Sequence, residues 1–120
     1  MPKLLIVDDS KVSRMMIRAI VQAHQPQWEV LEAANGVDGI AAAEGARPDF
    51  VTIDMNMPGI NGFDAAEKIR QATPTARIAL LTANVQDATR ERAKALSIGF
   101  LKKPITEQSI QQALAYFTAP

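Results

Sequence analysis

The sequence contains no cysteine and only one histidine in 120 residues. Without cysteine the chain cannot form disulfide bonds or bind a metal through thiolates, which is typical of proteins in a reducing compartment. The 13 basic and 13 acidic side chains cancel, so no net charge attracts nucleic acid or an anionic membrane. No apolar run approaches the roughly 20 residues that cross a bilayer, and the first, of about five residues, is too short for a signal peptide. We therefore expect a monomeric, soluble cytoplasmic protein that binds neither nucleic acid nor membrane.

Short apolar segments alternate with segments of helical periodicity along the whole chain. Strands are predicted over residues 4–7, 28–33, 50–54, 78–82 and 99–103, and helices over residues 12–23, 37–44, 63–70, 86–97 and 106–117. Five such alternations imply parallel strands joined by right-handed crossovers. The predicted fold is therefore an α/β, doubly wound, five-stranded parallel sheet with five helices. Its strand order should be 2-1-3-4-5, which is common for folds of this flavodoxin-like type. At this length, residues 1–120 are expected to form one domain without an output domain.

The first predicted helix carries apolar residues at helical spacing. They are Val12, Met15, Met16, Ala19, Ile20 and Ala23. This i, i+3, i+4 pattern predicts the buried face of the helix, with the two methionines filling the core. The only histidine, His24, falls at the far end of the helix and is interpreted as an ordinary surface residue.

Polar side chains end four of the five predicted strands. The first strand ends at Asp8-Asp9, the third at Asp54, the fourth at Thr82 and the fifth at Lys103. Because the carboxyl ends of parallel strands share one edge of the sheet, these groups should meet in one crevice. Two carboxylate charges about 5 Å apart repel by about 3 kcal/mol at an effective dielectric constant near 20, so a cation is expected there.

The cation is predicted to be Lys103, a bound Mg²⁺, or both. Asp9 and Asp54 could ligate Mg²⁺ directly, Asp8 directly or through a water, and the backbone carbonyl of Asn56 could complete the shell. Such a site suits phosphoryl transfer, in which Asp54 would be the nucleophile and form an acyl phosphate. No general base is needed because a carboxylate is already ionised at neutral pH. Mg²⁺, Lys103 and the hydroxyl of Thr82 would neutralise the phosphoryl oxygens.

Four short motifs in order resemble the receiver domain of two-component response regulators, a CheY-like family. They are Leu4-Leu5-Ile6-Val7-Asp8-Asp9-Ser10, Asp54 with Met57-Pro58-Gly59 and Gly62, Leu81-Thr82-Ala83, and Gly99-Phe100-Leu101-Lys102-Lys103-Pro104. The resemblance implies that a sensor histidine kinase or a histidine phosphotransfer protein donates a phosphoryl group to Asp54. Such a chain is a phosphorelay protein that catalyses its own phosphorylation and dephosphorylation, and it is not a classical enzyme.

The resemblance also implies a switch and an output surface. Thr82 would move toward the phosphoryl group, and Phe100 would turn inward behind it. Many relatives have tyrosine at the position of Phe100, so here the ring would report the switch through packing alone. The downstream protein target should bind the face formed by helix 4, strand 5 and helix 5. Asn56 and Asn84 hold the positions that tune the phosphoryl lifetime.

Two other functions are open at this point. A Mg²⁺-dependent phosphohydrolase with an aspartyl-phosphate intermediate would need an acid two residues after the nucleophile, where this chain has Asn56. A pseudo-receiver that only binds partners would lack part of the acceptor set, which is complete here.

Overall fold

The computed structural model describes residues 2–83 and 86–120. Within these residues five strands alternate with five helices. In chain order they are β1 (Lys3–Val7), α1 (Lys11–His24), β2 (Glu29–Ala33), α2 (Gly36–Ala46), β3 (Phe50–Asp54), α3 (Gly62–Ala72), β4 (Arg77–Thr82), α4 (Asp87–Ala95), β5 (Gly99–Lys102) and α5 (Glu107–Thr118). None of the helices in the described ranges is long and apolar enough to cross a membrane.

The five strands form one parallel sheet in the order β2-β1-β3-β4-β5, which confirms the predicted topology. In the register of the central strands, Val7 lies opposite Ile53, and Asp54 lies opposite Leu81. At the neighbouring pair, Thr82 lies opposite Lys102. The ends of β1, β3, β4 and β5 therefore share one edge of the sheet, and the loops that follow them surround a common crevice.

Helices cover both faces of the sheet, and each face has its own apolar core. On one side α1 and α5 pack on a core that includes Ile6, Ile17 and Leu114. On the other side α2, α3 and α4 pack on a core that includes Val7, Ile53 and Leu80. Because successive strand residues point to opposite faces, each buried strand supplies both cores, which explains the continuous apolar runs in the sequence.

Most of the predicted buried face of α1 is wrong, and of its six residues Ile20 alone packs, partly buried, against the core. Val12, Met15 and Met16 are 66%, 58% and 43% exposed, and the buried residues of this helix are Ile17 and Val21. Both sets fit a helical period, so spacing alone could not choose between them. Arg14 and Arg18 of α1 both donate hydrogen bonds to Glu32 on β2. The helix is therefore rotated about its axis so that Val12, Met15 and Met16 face solvent.

Helix α4 buries few residues and makes several polar contacts at its surface. It buries only Thr89 and Ala93. The guanidinium of Arg92 lies 4.5 Å from the ring centroid of Phe63 and pairs with Asp64 at 3.3 Å. At the end of the helix, Arg70 donates hydrogen bonds to the carbonyls of residues 96 and 97. Because α3 and α5 each bury five residues, we expect α4 to be less firmly attached to the core than these two helices.

Candidate functional site

Three carboxylates meet where β1 and β3 end. Asp8 and Asp54 are 1% and 3% exposed, whereas Asp9, which begins the loop to α1, is exposed. One oxygen from each carboxylate lies within 4.8 Å of the others. The order of the sheet explains the cluster, because β1 and β3 are neighbours although α1, β2 and α2 separate them in sequence.

Lys103 supplies a positive charge beside these carboxylates. Its Nζ lies 3.0 Å from Oδ1 of Asp54, and its side chain is 29% exposed. The Lys103-Pro104 peptide bond is cis, and the N–H of Lys103 donates to the carbonyl of Thr82 at 2.8 Å. The preceding Lys102 is exposed. The structure thus brings Lys103 to the acidic cluster and leaves Lys102 at the surface.

Asp8 is the most deeply buried of the three acids. Its Oδ1 accepts a hydrogen bond from the N–H of Ser10 at 2.9 Å. Its Oδ2 is buried and accepts no hydrogen bond within the described part of the chain. Burial, with smaller contributions from Asp54 and Asp9, raises the pKa of Asp8, although the Ser10 N–H and the charge of Lys103 act in the opposite direction. Ionising the Asp8 carboxylate therefore costs more free energy in the folded protein than in water.

These groups fit a hard divalent cation. The three carboxylates offer only oxygen ligands, which Mg²⁺ prefers, and Asp8 Oδ2 has a lone pair that no described group satisfies. A bound Mg²⁺ would also oppose the repulsion among three negative charges. Asp8, Asp9 and Asp54 are thus a candidate magnesium site, and their role as ligands stays a prediction.

The other predicted site residues lie around this cluster. Thr82, at the end of β4, is fully buried. The backbone N–H of the exposed Asn56 donates to Oδ1 of Asp54 at 3.3 Å, while the predicted role of its carbonyl as a metal ligand stays a prediction. Phe100 is half-buried on β5, and the guanidinium carbon of Arg90 lies 5.1 Å from its ring centroid. Asn84 lies outside the described residues.

The loop after Asp54 packs closely on the acceptor strand. The N–H of Gly62 donates to the carbonyl of Met55, and the N–H of Met55 donates to that of Leu81. A Cβ atom at Gly62 would lie 2.7 Å from the Asp54 carbonyl oxygen and 2.7 Å from Cα of Met55. Only glycine fits this close approach of the start of α3 to the backbone at Asp54 and Met55.

Arg14 is a residue near the site that sequence reasoning missed. Its side chain is 14% exposed, and its Nη1 donates to the backbone carbonyl of Asp8 at 2.7 Å. An arginine one turn into the helix that follows an acidic pair is a weak signal in the sequence. The contact depends on the rotation of α1, which the apolar pattern of that helix predicts incorrectly.

Comparisons with known proteins agree with this geometry. The response regulator receiver domain family matches residues 4–115. The chain is 32% identical over 117 residues to Protein PilH of Pseudomonas aeruginosa, with 95% of each chain covered. It is 36% identical over 114 residues to Chemotaxis protein CheY of Thermotoga maritima, with 93% of each covered. The solved structure of the chemotaxis response regulator CheY4 of Vibrio cholerae superposes with a TM-score of 0.85 at 31% identity, and the match covers 98% of each chain. With four strand ends meeting at one acidic edge and these matches along nearly its whole length, the chain belongs to the response regulator receiver domain family.

Proposed function

We propose that this receiver domain, formed by residues 1–120, accepts a phosphoryl group on Asp54 from the phosphohistidine of a sensor histidine kinase or a histidine phosphotransfer protein. The observation that carries the proposal is the contact of Lys103 with Asp54 at 3.0 Å inside a cluster of three carboxylates that lie within 4.8 Å. This arrangement combines a nucleophile, a fixed cation and an oxygen-rich metal site.

The residues divide the work of the transfer among them. An oxygen of the Asp54 carboxylate forms the new bond to phosphorus as the bond from phosphorus to the donor imidazole nitrogen breaks, and the imidazole takes the electron pair. The ammonium of Lys103, which already contacts Asp54, can then pair with a negatively charged phosphoryl oxygen. The hydroxyl of Thr82 at the neighbouring strand end is proposed to bind a second oxygen. Mg²⁺, held by Asp8, Asp9 and Asp54, would supply charge neutralisation for the remaining oxygen.

The exposed apolar stripe of α1 supports a docking surface for the phosphodonor. Val12 lies three residues after Asp9, and Met15 and Met16 continue the stripe away from the crevice. Glutamate at Met15 and Met16 should slow phosphotransfer from any donor protein that phosphorylates the wild-type chain. Labelling by acetyl phosphate should be unchanged, since so small a donor needs no docking surface. Equal loss with both donors would contradict a docking role.

The phosphorylated chain is proposed to signal through α4, β5 and α5. Phosphorylation adds roughly two negative charges beside Thr82, and Phe100 lies behind it on the same side of the sheet. The loosely held α4 suits a surface with two arrangements. Beryllofluoride with Mg²⁺, which imitates the phosphoryl group, should therefore shift the NMR signals of Phe100 and α4. An unchanged Phe100 signal would refute this route.

Two features favour phosphoryl acceptance over the other functions. At the position where a phosphohydrolase needs a second acid, the exposed Asn56 has no ionisable group. A pseudo-receiver has no use for an intact acidic cluster, yet Asp8, Asp9, Asp54 and Lys103 are all in place.

Incubation with acetyl phosphate and Mg²⁺ tests the proposal. The wild-type chain should become labelled, and Asp54→Asn should not. Asp38→Asn is the matched control, since Asp38 is an exposed aspartate in the first turn of α2 at the same edge of the sheet, and it should label like wild type. Robust labelling of Asp54→Asn would show that another residue is the acceptor.

A further inference from the structure

The guanidinium of Arg14 connects the metal-site loop to a pair of ionic contacts outside the crevice. Nη1 of Arg14 donates to the Asp8 carbonyl at 2.7 Å, and its Nε donates to Oε1 of Glu32 at 3.0 Å. Glu32 lies on β2, and its other oxygen accepts a hydrogen bond from Nε of Arg18 at 2.7 Å. Arg18 in turn donates to the carbonyl of Val30 at 3.1 Å.

Glu32 holds the guanidinium of Arg14 in place. Partial burial alone would push the pKa of Glu32 upward, but the hydrogen bonds and charges of Arg18 and Arg14 outweigh it and hold the pKa of Glu32 below its ordinary value. Glu32 therefore stays ionised near neutral pH and fixes the position of the Arg14 fork. A planar guanidinium can bond a carboxylate and a carbonyl at once, whereas a lysine ammonium has no such fixed geometry.

The Asp8 backbone connects the Arg14–Glu32 contact to the candidate metal site. The N–H of Asp8 donates to the carbonyl of Ala33, and the N–H of Ser10 donates to the Asp8 side chain. The Asp8 carbonyl is bonded by Arg14, and the next residue is the exposed ligand candidate Asp9. The Asp8-Asp9 segment carries two of the three carboxylates that repel one another. When no cation is bound, this repulsion favours movement of the segment away from Asp54.

We propose that Arg14 is a positioning residue for magnesium binding, which holds the Asp8-Asp9 segment in its ligating arrangement through the Asp8 carbonyl. The inference rests on the proposed function, because it requires that Mg²⁺ binds at this site. Arg14 itself touches neither the metal nor the phosphoryl group. It acts as groups behind metal ligands commonly do, by fixing the ligands before the ion arrives.

Magnesium titration by calorimetry, without any phosphodonor, tests the inference. The test variant is Arg14→Met, which keeps an apolar stem and loses the donors. The matched control is Arg18→Met, which also removes a partner of Glu32 but no bond to Asp8. Arg14→Met should weaken Mg²⁺ binding about tenfold, the lower end of what the loss of a group behind metal ligands typically costs. Arg18→Met should bind within about twofold of wild type, because the Asp8 carbonyl keeps its partner.

Urea unfolding of the metal-free variants separates positioning from general stability. Both variants should lose similar stability, since each loses an ionic contact with Glu32, and only Arg14→Met should change the affinity for Mg²⁺. If Arg14→Met does not fold, Arg14→Lys and Arg18→Lys replace the pair, and about threefold weaker binding is expected of the first alone.

Equal Mg²⁺ affinities in the two variants, or losses that follow their losses of stability, would overturn the inference while leaving the proposed function intact. A wild-type chain that does not bind Mg²⁺ would overturn both.

Discussion

Replacing Asp8 by asparagine should stabilise the metal-free protein, although it removes a candidate ligand. Asp8 is 1% exposed, and its oxygen lies within 4.8 Å of those of Asp54 and Asp9. At that distance each like-charged pair costs about 3 kcal/mol at an effective dielectric constant near 20. The attraction of Lys103 offsets roughly one pair, and solvent screens the repulsion from the exposed Asp9. Asparagine can still accept from Ser10 and can donate to the facing carboxylates. We expect the free energy of unfolding to rise by about 2 kcal/mol.

The stability that Asp8→Asn gains over wild type should decrease as the pH is lowered. Burial first, and then Asp54 and Asp9, raise the pKa of Asp8 above its ordinary value of 3.8, so the folded protein binds this proton more tightly than the unfolded chain does. The stability contributed by Asp8 is therefore greatest in acid and is lost as the pH rises from 3.8 through the folded pKa. The wild type bears the full cost only above the folded pKa of Asp8. The advantage of Asp8→Asn should accordingly shrink toward zero in acid, where Asp8 is protonated in both states.

Urea unfolding in EDTA near neutral pH measures the effect. With a slope of about 1.5 kcal/mol per molar, the midpoint of Asp8→Asn should rise by about 1.3 M. Glu67→Gln, which makes the same charge change at an exposed position on α3, should leave the midpoint nearly unchanged. Excess Mg²⁺ should stabilise the wild type more than Asp8→Asn, because ligand binding stabilises only a folded state that binds it. A metal-free Asp8→Asn less stable than wild type, or an equal gain in Glu67→Gln, would show that repulsion at Asp8 does not destabilise the fold.

Lys103→Ala should leave Mg²⁺ affinity, measured by calorimetry, largely intact while slowing labelling of Asp54 by acetyl phosphate. Loss of the fold, visible by circular dichroism, would make the lysine structural. Gly62→Ala should lower the free energy of unfolding by about 2 kcal/mol, because its Cβ would meet the Asp54 carbonyl at 2.7 Å. Gly45→Ala on α2 should instead raise it by about 0.5–1 kcal/mol, because nothing lies within 4 Å of that Cβ, and urea unfolding compares the two. Trp28, buried at the opposite edge of the sheet, should change its fluorescence on unfolding but not on addition of Mg²⁺, and a Mg²⁺-dependent signal would contradict this separation.

The sheet and its edge could be predicted because they depend on local patterns. Apolar runs that end in Asp8, Asp54 and Thr82 place those residues at strand ends, and parallel strands bring their ends to one edge. The family resemblance selects Lys103 over Lys102, because Lys103 is the lysine directly before Pro104. The alternation of a strand agrees only that one of two adjacent side chains can enter the crevice.

The orientation of α1 could not be predicted in the same way. Met15 and Met16 fit a helical stripe as well as Ile17 and Val21 do, and only the packing of the whole helix decides which stripe is buried. The same packing determines the contact of Arg14 with the Asp8 carbonyl, so this contact could not be predicted from the sequence either. The cation–π contact of Arg90 with Phe100 likewise requires two elements to be positioned first.

The residue that carries the phosphoryl group can be identified by chemical trapping, which is the direct test of Asp54 as the acceptor. After labelling with acetyl phosphate and Mg²⁺, borohydride reduces an aspartyl phosphate to homoserine, and peptide mass spectrometry locates the altered residue. We expect the change to occur at Asp54 alone and to disappear when Mg²⁺ is chelated. Modification at Asp8 or Asp9, or a yield that does not depend on Mg²⁺, would contradict this expectation.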